Sequence, residues 1–189
     1  MFRLLLFFSL LPLALALVAS WWFGTRVLAS HGKRMCRCDL KLWTRAPGDE
    51  TSVHRADESA AEFGDQLRRK ALHEWRERDP KSANSREHSR RFGIAVPPLG
   101  GVVALLAVIA GKIPVLGAFA IFIAAVALSA VLGMLALPPE LTAIARTSKR
   151  IRDQRDFPSS EDSEAVLRCA SARAWEQALP PVLRMLKKR

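Results

Sequence analysis

The run His73-Glu74-Trp75-Arg76-Glu77 is the stretch of this 189-residue chain whose residue types and spacing come nearest to catalysis. A zinc-peptidase helix needs two histidines one turn apart on one face, with a glutamate beside the first as general base. Here the second histidine position holds Glu77. His73 and Glu77 would then be two metal ligands and Glu74 the base, a set that still needs a third ligand and an open position for water. His31, His54 and His88 are scattered, with no spacing that links them. Cys36 and Cys38 have one residue between them and Cys169 stands alone, so the three thiols read as free cysteines in a reducing compartment, neither a disulfide framework nor a zinc pair. No phosphate loop, nucleotide-binding glycine motif or nucleophile elbow is present. The residues alone therefore assign no catalytic group and no cofactor, with zinc as the alternative.

The elements that would have to hold these residues are set by three apolar stretches, 4–23, 94–110 and 113–137, with nearly all Lys and Arg outside them. The expected fold is an all-α membrane protein: an N-terminal span, a transmembrane hairpin and amphipathic cytoplasmic helices. Its segments are a span over 1–23, a basic segment over 24–93, the hairpin over 94–137 and a helical tail over 138–189. The first stretch has loose cleavage sites of the signal-peptide kind, but its twenty residues suffice to cross the hydrocarbon and Trp21, Trp22 and Phe23 form an aromatic belt at one end. It is read as a retained span. Residues 111–114 leave room only for a tight hairpin, so the second and third spans are antiparallel neighbours. Gly100 and Ala104 on one, and Ala125, Ser129 and Gly133 on the other, form small-residue seams for close approach. Pro97 and Pro98 predict a kink, with the second span beginning at the interface.

The net charge of +11 is spread along segments that flank the spans, with no Tyr in the chain and no alternation of basic and base-stacking residues. Nucleic acid is excluded as a partner on that pattern, and the bilayer with its anionic headgroups takes its place. Basic residues crowd the segments after the first span, before the second and after the third. Only Arg3, the terminal amine and Lys112 stand on the opposite side, which puts the amino terminus outside and the tail in the cytoplasm.

In the polar segments, Ala60, Phe63, Leu67, Ala71 and Trp75 recur at three and four and predict an amphipathic helix near 57–78, with Ser59 and Glu62 at capping-box spacing and Asp79-Pro80 as its stop. His73 and Glu77 fall opposite the apolar row. The flanks, 24–52 and 81–90, show no periodicity and are expected to lack regular structure. Pro138-Pro139-Glu140 opens a helix reaching about residue 152, and the acidic start at 159–164 opens another, to about residue 179.

Pro97, Leu99 and Gly100, the hairpin, Leu137-Pro138-Pro139-Glu140 with Ala143 and Arg146, and Glu164-Ala165-Val166-Leu167 ahead of an Ala-rich helix together resemble the bacterial membrane-bound neutral zinc metallopeptidases over residues 95–186. The resemblance implies a cytoplasmic lobe with a His-Glu-x-x-His helix and a Leu-Pro-x-Glu motif after the hairpin. It implies zinc, with Glu140 as a third ligand beside His73 and Glu77, and the cytoplasmic membrane of a bacterium. The chain departs from the family at the metal helix, where the second histidine is missing, and in the shortness of the segment between the first two spans. The expectation is a multi-pass inner-membrane protein similar to that family that has lost catalysis and acts by binding or assembly. The rivals are an active zinc peptidase with an atypical site, and a basic scaffold that binds anionic lipid or an acidic partner.

Overall fold

The computed structural model describes residues 2–39 and 56–187. Helices dominate, and they group into two compact units, each assembled from separate stretches of chain.

The first unit takes residues 2–19, 85–136 and 177–187. Helix α1 (Phe2–Ala19) packs on α5 (Val115–Leu135), with Leu13 and Ala16 buried against Val126, Ala127, Ala130 and Leu179. Helix α4 (Pro80–Ile109) lies antiparallel to α5: Gly93 meets Ser129, Gly100 meets Ala125 and Gly101 meets Phe122, so the partners converge toward the turn. A Cβ at Gly100 would sit 2.7 Å from that of Ala125, which is why the small residues read from the sequence are needed at this crossing. The turn closes as a Schellman motif. Gly111 takes φ +68 and its N–H donates to Val108, while Lys112 N–H donates to Ala107.

Pro97 and Pro98 do not end the helix that contains them; α4 is continuous from Pro80. Pro97 has no N–H to offer the Gly93 carbonyl four residues earlier, and the Ser129 hydroxyl donates to that carbonyl instead. The early start of α4 corrects the expectation of an irregular 81–90. Pro80 suits a first helical position and Asp79 Oδ1 accepts the Ser82 N–H at 3.1 Å, so the residues that stop one helix also cap the next. Among the described residues, three helical stretches are long and apolar enough to cross a membrane. Leu99, Val102, Val103, Leu105, Leu106 and Ile109 of α4 are all exposed.

The second unit takes residues 20–84 and 137–176. A π-helical turn (Ser20–Thr25) leads into α2 (Arg26–His31). Strands β1 (Met35–Arg37) and β2 (Asp57–Ser59) pair antiparallel with Cys36 opposite Glu58. This small ladder corrects the all-α expectation, and α2 with β1 corrects the expectation of irregular structure over 24–39; the remainder of that segment, 40–52, lies outside the described residues, as does His54. Three-residue strands are too short to register as alternation against a mixed-charge background. Helix α3 (Ala60–Arg78) starts at the capping box: Ser59 Oγ accepts the Glu62 N–H at 3.3 Å and Glu62 accepts from the Ser59 N–H. Helix α6 (Leu137–Gln154) and α7 (Ser160–Ala178) follow, and α8 (Pro181–Lys187) belongs to the first unit.

The core of this second unit is built on the apolar row of α3. Phe63 and Leu67 are fully buried with Ile144 of α6 and Val166 and Cys169 of α7, and Phe63 meets Phe157 edge-on at 5.5 Å. Gly64 lets α3 touch α7 backbone to backbone: an added Cβ would lie 2.8 Å from both Ala170 N and Cys169 Cβ. Gly64→Ala therefore overpacks the contact, and its expected cost is about 1–3 kcal/mol. Urea unfolding of the detergent-solubilised protein checks it, and a midpoint unchanged from wild type would refute the close approach.

Candidate functional site: the face between α3 and α6

Helices α3 and α6 run side by side in the same direction, since Arg68 meets Glu140 and, two turns further on, Glu74 meets Thr147 and Arg150. Glu140 stands in the first turn of α6, where the positive end of the helix favours a carboxylate. Burial then makes it far more than a surface charge. Arg68 Nε donates to Glu140 Oε1 at 2.6 Å, and both side chains are 5% exposed. Arg68 follows Gly64 by four residues and precedes Leu72 by four, so it sits at the edge of the buried stripe of α3 and reaches the facing helix.

Two turns along, Glu74 Oε2 accepts the Thr147 hydroxyl at 2.8 Å and its other oxygen accepts from Arg150. The carboxylate that the alternative reading makes a general base is thus already bonded on both oxygens. His73 Nδ1 lies 3.7 Å from Glu77 Oε2, four residues on along its own helix, with Glu77 mostly exposed. This pair looks out along α3, as the wheel predicts.

Glu140, the third member of the alternative ligand set, is joined to a guanidinium instead of to His73 and Glu77. Among the described residues, no group of three or more His, Cys, Asp and Glu is disposed to hold a metal ion. The donor chemistry does not fit zinc at Glu140: a permanently charged guanidinium already takes up the oxygen a metal would need. No protein-family model, curated protein or solved structure matches the chain.

The three cysteines are free and buried. Burial is the first cause that pushes each thiol up to about 11, with Asp162 adding to Cys36 and Glu58 to Cys38. Thiolate is the reactive form, so these groups are inert packing near neutral pH.

Two further features of this unit were not read from the sequence. Phe23 stacks on Trp175 with ring centres 5.0 Å apart, and Gly24 lies against the Ala172 carbonyl, which fastens the π-helical turn to α7. Arg26 lies over the Trp22 ring at 4.4 Å. The aromatic run itself was visible in the sequence, but its partner on α7, over 150 residues away, had no local signal.

Proposed function

We propose that this chain is a three-span protein of the bacterial cytoplasmic membrane, similar to the neutral zinc metallopeptidases, that acts by binding or assembly without hydrolysing peptides. The observation that carries the loss of catalysis is the buried Arg68–Glu140 pair. The acid that the resemblance assigns to metal is neutralised by a residue that does not give up its proton in proteins, and a guanidinium in that position repels a divalent cation. Glu74 is held on one oxygen by Thr147 and on the other by Arg150, contacts that tie the carboxylate to α6 instead of leaving it to turn to a water as a base does.

The membrane reading is supported by three sufficiently long apolar helices whose outer side chains are exposed, a surface that only lipid solvates without cost. The excess of Lys and Arg on the segments that bound one end of the spans supports an outside amino terminus and a cytoplasmic tail.

The test is bound zinc and cleavage of unstructured peptides by the full-length chain purified in detergent. The expected result is neither stoichiometric zinc nor turnover. Zinc at one per chain that is lost in His73→Ala, together with metal-dependent cleavage, would overturn the proposal, and a reporter fused at Lys112 that is active only on the cytoplasmic side would overturn the orientation.

A further inference from the structure

We infer that the cleft between the second halves of α3 and α6 binds a phosphate group through Arg78 and Arg146. This rests on, and deepens, the reading of the chain as a membrane protein that works by binding, because it names the ligand chemistry of the same helix pair. The cleft is small, about 70 Å3, and Glu74 is one of its lining residues. Ala71 and Ala143 are both buried and supply no bulk, and Trp75 forms an apolar wall at 6% exposure. At about 10–15 Å3 of cavity volume needed per water, the space takes a few waters or one tetrahedral oxyanion.

Charge decides between those occupants. Three guanidinium groups line the cleft, Arg78, Arg146 and Arg150, against the single carboxylate of Glu74. Glu74 is engaged by Arg150 and Thr147, and no acidic partner of Arg78 or Arg146 stands among the described residues. A second cavity of this unit, about 140 Å3, has its arginines paired with acids: Arg34 with Glu161 and Asp162, and Arg168 with Glu164. Arg78 in the last turn of α3 also complements the helix dipole; Arg146, in the middle of α6, has no such role. Two planar guanidinium forks beside an aromatic wall match a phosphoryl oxygen set in charge and in donor type.

The phosphate could be carried by a lipid headgroup or by a free phosphorylated molecule. Two arms separate these sources, using the full-length protein in detergent micelles and in nanodiscs. In micelles, inorganic phosphate is titrated while tryptophan fluorescence is followed, against sodium chloride of equal ionic strength. In nanodiscs, the same signal is compared between phosphatidylcholine alone and phosphatidylcholine with phosphatidic acid.

The expected result is a saturable response in at least one arm that Arg146→Gln weakens by about tenfold or more. Arg152→Gln, which removes the same charge from α6 outside the cleft, is expected to leave it within about twofold. Saturation by inorganic phosphate assigns a free ligand; a response confined to phosphatidic acid assigns the headgroup. An equal loss in both variants, or a response that chloride reproduces, means general charge attraction and overturns the site. So does the absence of any response in both arms. Metal-dependent peptide cleavage would instead overturn the functional reading, and a zinc-free, inactive chain that ignores phosphate would leave that reading standing while removing this one.

Discussion

Arg68→Ala will destabilise the unit built on α3 and α6 by about 3–5 kcal/mol, whereas replacing Arg68 and Glu140 together by Met and Leu will cost little or add stability. The reason is an asymmetry in what the two changes leave behind. Arg68 and Glu140 are both 5% exposed and meet at 2.6 Å, so each has given up water in exchange for the other. Removing one partner leaves the second charge buried with no compensation of equal strength. Removing both leaves apolar groups of similar volume in a site already walled by side chains. The measurement is amide exchange protection along α3 and α6 in the solubilised protein, alongside the urea midpoint. Glu140→Gln is the informative third variant, because it keeps the shape and one acceptor while removing the negative charge opposite Arg68, and it is expected to fall between the other two. A single variant with unchanged protection would mean that the pair does not hold the helices together. The same series bears on function: if Arg68→Ala, with the guanidinium gone, acquires zinc, then the arginine is what keeps metal away from Glu140.

How far these features were legible in the sequence follows from how local each one is. The start of α3 was readable because Ser59 and Glu62 bond within one turn, and the apolar row that follows needs only the 3.6-residue period. The hairpin was readable because its turn is too short for any other connection, and the crossing of Gly100 with Ala125 follows from small residues four apart on helices that must be neighbours. Residues 81–90 were misread since a charged helix whose one buried apolar residue over this stretch is Ala83 has no period to show; its cap, Asp79, looked like a stop because the same residue serves both helices. The pair at Arg68 and Glu140 was half visible. Glu140 stood out by the motif it ends, but its partner lies on another helix and looks from sequence like one more basic residue on a basic face. Only its position between Gly64 and Leu72, on the flank of the buried stripe, distinguishes it. Asp156 had no signal, because the helix end that turns it inward is normally announced by a glycine, and here that position is Arg155.

Asp156→Asn is expected to make the protein more stable at neutral pH, by on the order of 1–3 kcal/mol, with the gain fading as the pH falls. Helix α6 ends in a Schellman motif in which Arg155 N–H donates to Arg152 and Asp156 N–H donates to Ile151, and Arg155 takes φ +59, a left-handed conformation that costs a non-glycine residue. That geometry turns Asp156 inward. Its side chain is fully buried and neither carboxylate oxygen has a hydrogen-bond partner among the described residues, while its carbonyl accepts the Asp39 N–H and fastens the chain leaving β1 to the α6–α7 connection. Burial pushes the carboxyl above its ordinary range and the nearby Asp39 adds to this, against the opposing pull of Lys70 on α3 and Arg150 on α6. Lys70 is in turn lowered by its own burial, with Glu74 and Asp156 resisting. An acid whose folded pKa is raised holds its proton more tightly when folded, so ionisation works against the fold. The penalty is absent below the unfolded value, about pH 4 for aspartate, and grows as the pH rises to the raised folded value. Above that it stays constant. Asparagine keeps the shape without the charge and removes the penalty, so the difference between wild type and variant must shrink toward low pH. A gain of equal size at pH 4 and pH 8 would place the cause in packing and not in charge. Arg155→Gly provides the control, since relief of the left-handed residue stabilises by the same amount at both pH values.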